Sequence, residues 1–245
     1  PFEGGDNKSS KAADQIPISR RNFIELCEKL TLEDEKHFED LWRSLGLSVD
    51  WTQTYRTISE DPIRTSQLAF LRNIERGEAF QDLAPTLWDV DFRTAVAQAE
   101  LEDRDQPAAY HRVAFARTDG SGDIHIETTR PELLAACVAL VAHPDDERYQ
   151  PFFGSTVRTP LFDVEVPVLA HPLAQKDKGS GIAMICTFGD VTDIIWWREL
   201  DLPNRTILGR DGRIIAEAPE AISTDAAKAN YAELAGKTVF SAKKR

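Results

Sequence analysis

The sequence predicts an α+β chain: a mainly helical stretch over residues 1–105, a mixed strand-rich unit over 106–240, and a short tail at 241–245. Three observations carry this. Apolar residues recur at helical spacing early in the chain, as in Phe23, Leu26, Cys27 and Leu30. A charge cluster of Glu100, Glu102, Asp103, Arg104 and Asp105, followed by Pro107, then breaks the pattern. Beyond it the period shortens to two, with His111, Val113 and Phe115 alternating ahead of a glycine-rich turn.

In chain order, residues 1–16 are polar, hold Gly4, Gly5, Ser9 and Ser10, and read as a mobile loop. Ser19 is placed to cap a first helix. Thr31 and Asp34 resemble a capping box and predict a second helix, with Phe38, Leu41, Trp42 and Leu45 on one face and Gly46 closing it. A third helix is expected over about residues 61–76, with Pro62 in its first turn and Gly77 at its end. Leu87 to Gln98 reads as extended. Thr118 to Gly122 makes a hairpin turn into Ile124 and Ile126. Val138 to Val141 is a short buried run. Val157 and Val164 to Leu169 read as strands, which Pro160, Pro167 and Pro172 should confine to edges or ends. A strand over Gly181 to Cys186 leads into a helix over Asp190–Leu200. A turn at Gly209 to Gly212 and a last helix near residues 224–235 complete the chain.

Composition restricts the function classes. The 42% apolar and 29% charged residues are those of an ordinary globular protein. Net charge is −12, with 13 basic and 22 acidic residues in 1–105 against 16 and 19 in 106–245. That balance argues against a general grip on nucleic acid, and leaves room for a local basic rim that receives only the end of a polynucleotide. The three cysteines, Cys27, Cys137 and Cys186, have neither disulfide-framework nor zinc-site spacing, and their apolar settings point to a reducing cytoplasm. No apolar run has membrane-spanning length. The start at Pro1 rather than a methionine suggests a piece of something larger.

Two segments could carry chemistry. Thr128, Thr129 and Arg130 stand at a strand end before Pro131 and Glu132, where hydroxyls and a guanidinium suit a sugar-phosphate terminus. The same residues also suit a plain turn into a helix, with Thr as cap and Pro in the first turn. Lys178, Gly179, Ser180 and Gly181 precede a strand that leads to Thr187, Phe188, Gly189, Asp190 and Asp193. The glycines permit close approach to a ligand but match neither a Walker loop nor a dinucleotide fingerprint. Asp190 and Asp193 share one side of a helix start, either as caps or as a carboxylate pair for an ammonium and a hydroxyl. His125, His143 and His171 lack metal-site spacing and read as structural. Of Trp196 and Trp197, at least one should be core. The run from His143 to Tyr149 reads as mostly solvated.

Taken in order, ETTRPELL, HPDDERY, and a KGSG strand running into TFGDVTD and a Trp-Trp helix resemble the editing domain inserted into class I aminoacyl-tRNA synthetases for valine, isoleucine and leucine, closest to the valyl form. ISRRNF, LWRSLGLSVDW and APTLWDVDFRTAVAQAELEDR resemble the catalytic-domain segment before that insertion. The resemblance implies a mixed β-barrel-like editing domain with peripheral helices. It also implies an aminoacyl-tRNA ester hydrolase acting by water on threonyl-tRNA(Val). Its implied catalytic groups are Asp190, Thr128 and Thr129. Asp190 would hold the α-ammonium and Asp193 the threonine hydroxyl. Arg130, Lys178, Gly179, Ser180, Thr187 and Phe188 would line the walls around the ester and terminal nucleotide. The implied partners are the 3′ end of tRNA(Val) carrying threonine and the remainder of the synthetase, with no membrane. No metal or cofactor is implied for editing. ATP serves only the activation site of the full-length parent, and neither HIGH nor KMSKS occurs in these residues. Three positions, Leu133, Met184 and Cys186, depart from the common bacterial valyl pattern. They leave hydroxyl recognition to other groups such as Thr187 or Asp177. The alternatives are an isoleucyl or leucyl editing domain, a tRNA-binding fragment inactive without its parent, and a structural interaction module.

Overall fold

The computed structural model describes residues 17–102, 105 and 107–244. The loop expected over 1–16, and Asp103 and Arg104 of the charge cluster, lie outside the described residues. The chain divides into two units, Pro1–Ala84 and Pro85–Arg245.

The first unit holds two helices. α1 (Arg20–Ser44) begins where Ser19 Oγ accepts the Asn22 N–H at 3.2 Å. It runs unbroken through Thr31, where a new helix was expected. The Thr31 hydroxyl donates back to the Cys27 carbonyl at 2.8 Å, a bond threonine makes without leaving the helix. Gly46 and Gly77, at φ 78° and 71°, follow the ends of α1 and α2 (Glu60–Glu75). Both helices keep their apolar stripes, yet neither buries a side chain. Phe23, Leu41 and Trp42 stay about half exposed.

The second unit starts ahead of the charge cluster that suggested a boundary at 105. β1 (Trp88–Asp89) pairs with β2 (Thr94–Ala95), and Trp88 Nε1 donates to the Arg210 carbonyl at 2.8 Å. That long-range bond groups this segment with the strand-rich part. Six further strands follow: β3 (His111–Arg117), β4 (Asp123–Thr128), β5 (Ala139–Ala142), β6 (Thr156–Arg158), β7 (Glu165–Ala170) and β8 (Ile182–Ile185). Their order is β4-β3-β6-β7-β5-β8, antiparallel except for β5 against β7. The end strands β4 and β8 lie against each other without forming a ladder, so the sheet curls into a nearly closed barrel. Ser180 bridges that seam: its Oγ accepts the Glu127 N–H at 3.1 Å and donates to the Ile182 carbonyl at 3.0 Å.

Pro167 stands inside β7, opposite Thr156 of β6, and β7 is an interior strand rather than an edge. The sheet tolerates it because the ladder to β5 begins one residue later, at Val168. β5 is buried along its whole length. Leu140 and Ala142 join the barrel core with Phe115, Ile126 and Val166, while Ala139 and Val141 pack with Ile185 and Trp196 of α3 (Val191–Glu199). α4 (Asp225–Ala232) buries Tyr231. The expected tail contains a helix, α5 (Val239–Lys243), that packs on the 3-10 turn Pro131–Ala136. Thr238 caps α5 and Ala242 is buried, so this end is part of the fold.

The run from His143 to Tyr149 is not simply solvated. Asp146 is buried and takes a two-pronged bond from Arg148, at 2.9 Å to Nε and 2.6 Å to Nη2. The Arg148 guanidinium hydrogen-bonds this carboxylate and holds its pKa below the usual value. Arg148 also donates to the Lys176 carbonyl, and the Tyr149 hydroxyl to that of Ser180 at 2.7 Å. These bonds fix the Lys178–Gly181 loop against the barrel. Gly181 has φ 81°, and a Cβ there would stand 2.8 Å from the Lys176 carbonyl oxygen. Gly181→Ala should therefore lower unfolding free energy by about 1–3 kcal/mol in denaturant melts. An unchanged midpoint would mean that the loop relaxes freely.

Candidate functional site

The seam between β4 and β8 opens into a cleft of about 200 Å³. One wall is the end of β4 with Thr128, Thr129 and Arg130; the facing wall is β8 with Met184 and Cys186. Lys178, and Asp190 and Asp193 at the start of α3, also line it. The chain thus brings together six of the residues singled out in the sequence. Gly179 and Ser180 stand behind the wall, Gly179 packed against Glu127 and Ser180 at the seam. Thr187 and Phe188 fall outside the cleft and line a second hollow. Thr187 is buried at φ 56° with its Oγ1 accepting the Arg205 N–H at 3.2 Å, and Phe188 meets Trp197 edge-on at 5.0 Å.

The two walls are tied by Arg130. Its Nη1 donates to the Gly189 carbonyl at 2.8 Å and its Nε to Glu132 Oε1 at 3.3 Å. Thr128 Oγ1 accepts the Arg130 N–H at 3.1 Å, so it shapes the strand end instead of capping the turn that follows, which has no side-chain cap. Pro131 does open that turn, as its fixed φ favours. The Thr129 carbonyl accepts Lys243 Nζ at 2.6 Å.

Asp190 caps α3: its Oδ1 accepts the Asp193 N–H at 3.0 Å, which leaves Oδ2 for a ligand. Asp193 is mostly buried. Its Oδ2 accepts the N–H groups of Cys186 at 3.3 Å and Gly189 at 3.2 Å. A Cβ on residue 189 would lie 2.5 Å from that oxygen, so a larger residue there would have to displace the Asp193 carboxylate. Burial, then the charge of Asp190, push the Asp193 carboxyl up to about 7, against the pull of the two N–H groups and Arg130.

Tyr110, Glu127, Gln175 and Trp196 also line the cleft and were not anticipated. Glu127 opens the ETTRPELL block, and its adjacency to Thr128 was the signal that could have marked it as a site residue. Tyr110 and Gln175 carry no such signal. Trp196 is buried as core, its Nε1 bonded to His171 Nδ1 at 3.1 Å, and His171 Nε2 meets Glu199 at 2.7 Å, a structural role for both. Cys137 and Cys186, distant in sequence, are neighbours here. A hydrogen bond with the Cys137 thiol, then burial, raise the Cys186 thiol well above its ordinary value and keep it neutral. Among the described residues no cluster of metal-binding side chains occurs, and no helix is long and apolar enough to cross a membrane.

The sequence is that of a tRNA synthetase segment. Residues 6–232 match the family of tRNA synthetases class I (I, L, M and V), and the chain belongs to that family. It is 79% identical over 243 residues to valine–tRNA ligase of Leifsonia xyli, covering 99% of this chain and 28% of that protein. The same enzyme of Thermobifida fusca is 68% identical over 94% of this chain and 26% of its own length. For Bifidobacterium longum the values are 63%, 100% and 27%. The chain therefore spans about a quarter of these curated relatives. A more distant likeness is to the crystal structure of the ternary complex of Agrobacterium radiobacter K84 agnB2 LeuRS-tRNA-LeuAMS. It has 17% identity and a TM-score of 0.36, over 74% of this chain and 32% of that one.

The raised Asp193 carboxyl has a consequence for stability. The folded state keeps its proton up to about pH 7, whereas the unfolded chain releases it near 3.8. This contribution is complete below 3.8 and is lost as pH rises toward 7. Asp193→Asn keeps an acceptor for the two N–H groups and removes the titration. Between pH 4 and 8 the variant should gain thermal stability relative to the parent protein. Parallel Tm-versus-pH curves would contradict the assignment.

Proposed function

We propose that the cleft hydrolyses the ester of threonine mischarged on tRNA(Val), an editing activity carried out by water instead of a protein nucleophile. The observation that carries this reading is the carboxylate pair in the lining of the cleft. Asp193 is desolvated, anchored by two backbone N–H groups, and next to Asp190 with its free oxygen. Burial and the neighbouring Asp190 charge disfavour ionisation of Asp193, and a cation placed beside the pair would relieve it. The α-ammonium of an aminoacyl ester supplies one. Its arrival favours ionisation of Asp193, which then accepts a hydroxyl on the side chain beside it. Threonine offers that hydroxyl; valine, nearly the same shape, leaves the oxygen buried and unpaired. Valyl enzymes need such a second test because an apolar activation pocket rejects threonine poorly.

In this reading the hydroxyls of Thr128 and Thr129 and the Arg130 guanidinium, which line the cleft with Lys178, serve the reacting ester and the terminal nucleotide. Their roles are to orient the ester, place water and receive the developing oxyanion. Gly179 and Ser180 support that wall from behind, and Thr187 and Phe188 support the turn that presents Asp190. The partners in this reading are the 3′ end of threonyl-tRNA(Val) and the rest of the synthetase. The setting is the cytoplasm, and editing itself uses neither metal nor ATP.

The test is hydrolysis of threonyl-tRNA(Val) beside valyl-tRNA(Val), with Asp190→Ala as control. Selective loss of the threonyl ester, reduced at least about a hundredfold in Asp190→Ala, is expected for a lost charge-assisted contact. Equal rates on the two esters would refute the selection by hydroxyl; full activity in folded Asp190→Ala would refute the ammonium anchor. For Asp193, kcat/KM should fall below about pH 7 by up to about tenfold per unit, as its acceptor form is lost. That fall should be absent from the residual rate of Asp193→Asn.

A further inference from the structure

Behind the cleft, across a partition made of Leu133, Cys186 and Gly189, lies a second hollow of about 150 Å³. Arg130 borders both spaces. The second is lined by apolar side chains such as Phe188, Ile207 and Leu208, by the hydroxyl-bearing Thr187 and Thr206, and by a second guanidinium, that of Arg205. Arg205 is a partly buried cation. Nη1 donates to the Cys137 carbonyl, and no carboxylate among the described residues pairs with it. The ionisable groups that bear on it are the thiols of Cys137 and Cys186, the latter pushed well above its ordinary value. Burial accordingly pulls the guanidinium below its ordinary value. A desolvated charge without a partner is costly, and the fork of a guanidinium with donors to spare is shaped for a phosphate.

We propose that this hollow is an anion subsite, and that it takes the phosphodiester preceding the terminal adenosine of the tRNA whose ester occupies the cleft. The assignment to tRNA rests on the editing reading above; the preference for an anion does not. The phosphate in question belongs to the nucleotide that bears the ester, and the two hollows share Arg130, Leu133, Cys186 and Gly189 in their linings. Arg130, already committed to the Gly189 carbonyl and Glu132, holds the partition, while Arg205 supplies the unpaired charge. The surrounding apolar wall strengthens that attraction by excluding water.

Binding can be measured without any hydrolysis, by titrating the protein with adenosine, with the dinucleotide cytidylyl-adenosine, and with inorganic phosphate. The dinucleotide should bind about tenfold tighter than adenosine, the gain expected of one charge-assisted contact. In Arg205→Gln the gain should vanish with adenosine affinity unchanged, and Arg205→Lys should retain part of it. A folded Arg205→Gln that keeps the full gain overturns the proposal. Phosphate binding lost in Arg205→Gln, without any preference for the dinucleotide, would make this a free-anion site and overturn the tRNA assignment. Should Arg205→Gln fail to fold, the salt dependence of the gain in the parent protein decides: a gain insensitive to salt refutes a phosphate contact. Because no ester is cleaved, failure here and failure of editing are read separately.

Discussion

The acceptance of two backbone N–H groups by one buried carboxylate, Asp193, is the constraint around which the site is arranged. To offer the N–H of Cys186, β8 must stop pairing at Ile185. To offer the N–H of Gly189, the chain must turn back within three residues, which it does through the left-handed Thr187. The carboxylate oxygen then sits so close to residue 189 that a side chain there would push Asp193 out of place. Asp190 follows as the N-cap of α3, bonded to the Asp193 N–H, so the helix that bears Asp193 is started by its own neighbour. Strand end, turn, glycine and cap are consequences of one another.

The barrel explains why this arrangement meets open space. A closed barrel satisfies every strand edge, whereas here the ladder between β4 and β8 is missing, leaving two edges with unused backbone groups. Ser180 satisfies one at a single point, and further along the seam the strands diverge into the cleft. Holding the edges apart without letting the barrel open requires ties from outside the ladder. The Asp146–Arg148 clamp holds the Lys176 loop, Arg130 holds the Gly189 turn, and Lys243 holds the Thr129 carbonyl. Each tie joins a side chain to a main-chain carbonyl, so each fixes backbone position.

Local patterns were legible in the sequence wherever the signal was local. The hairpin at Thr118–Gly122, the caps at Ser19 and Asp190, and the helix after Asp190 depend on residues a few positions apart, and they stand as expected. Thr31 misled because a threonine can bond its own helix as readily as it starts another. Pro167 misled because an interior strand can still have an unpaired side where a neighbouring ladder has not begun. The order of the blocks was enough to gather six residues in one cleft. It did not separate Thr187 and Phe188, next to Asp190 in sequence, into a different hollow, since a left-handed residue reverses the face presented. Nor could it show that the charge run His143–Tyr149 buries Asp146, that α5 closes on the turn after β4, or that Cys137 and Cys186 touch. Those facts depend on pairing at long range.

What distinguishes this cleft electrostatically is the absence of a strong cation inside its β8 wall, where Met184 and Cys186 present apolar surface. With a lysine on that strand, Asp193 would be ionised and already paired; without one, burial and Asp190 hold it near neutrality, half protonated around pH 7. Cations that could have relieved it are committed elsewhere: Arg130 to the Gly189 carbonyl and Glu132, and Arg205 on the far side of the partition. A site so arranged has its charge completed by the ligand. Under the editing reading, an aminoacyl ester brings its ammonium between the two carboxylates and converts Asp193 into the hydroxyl acceptor only once bound. The acceptor then forms in the presence of the group to be tested, and an unesterified 3′ end, lacking the ammonium, leaves Asp193 protonated. Selection for a charged amine and for a hydroxyl would be coupled through a single proton, a coupling that a permanently ionised carboxylate does not provide.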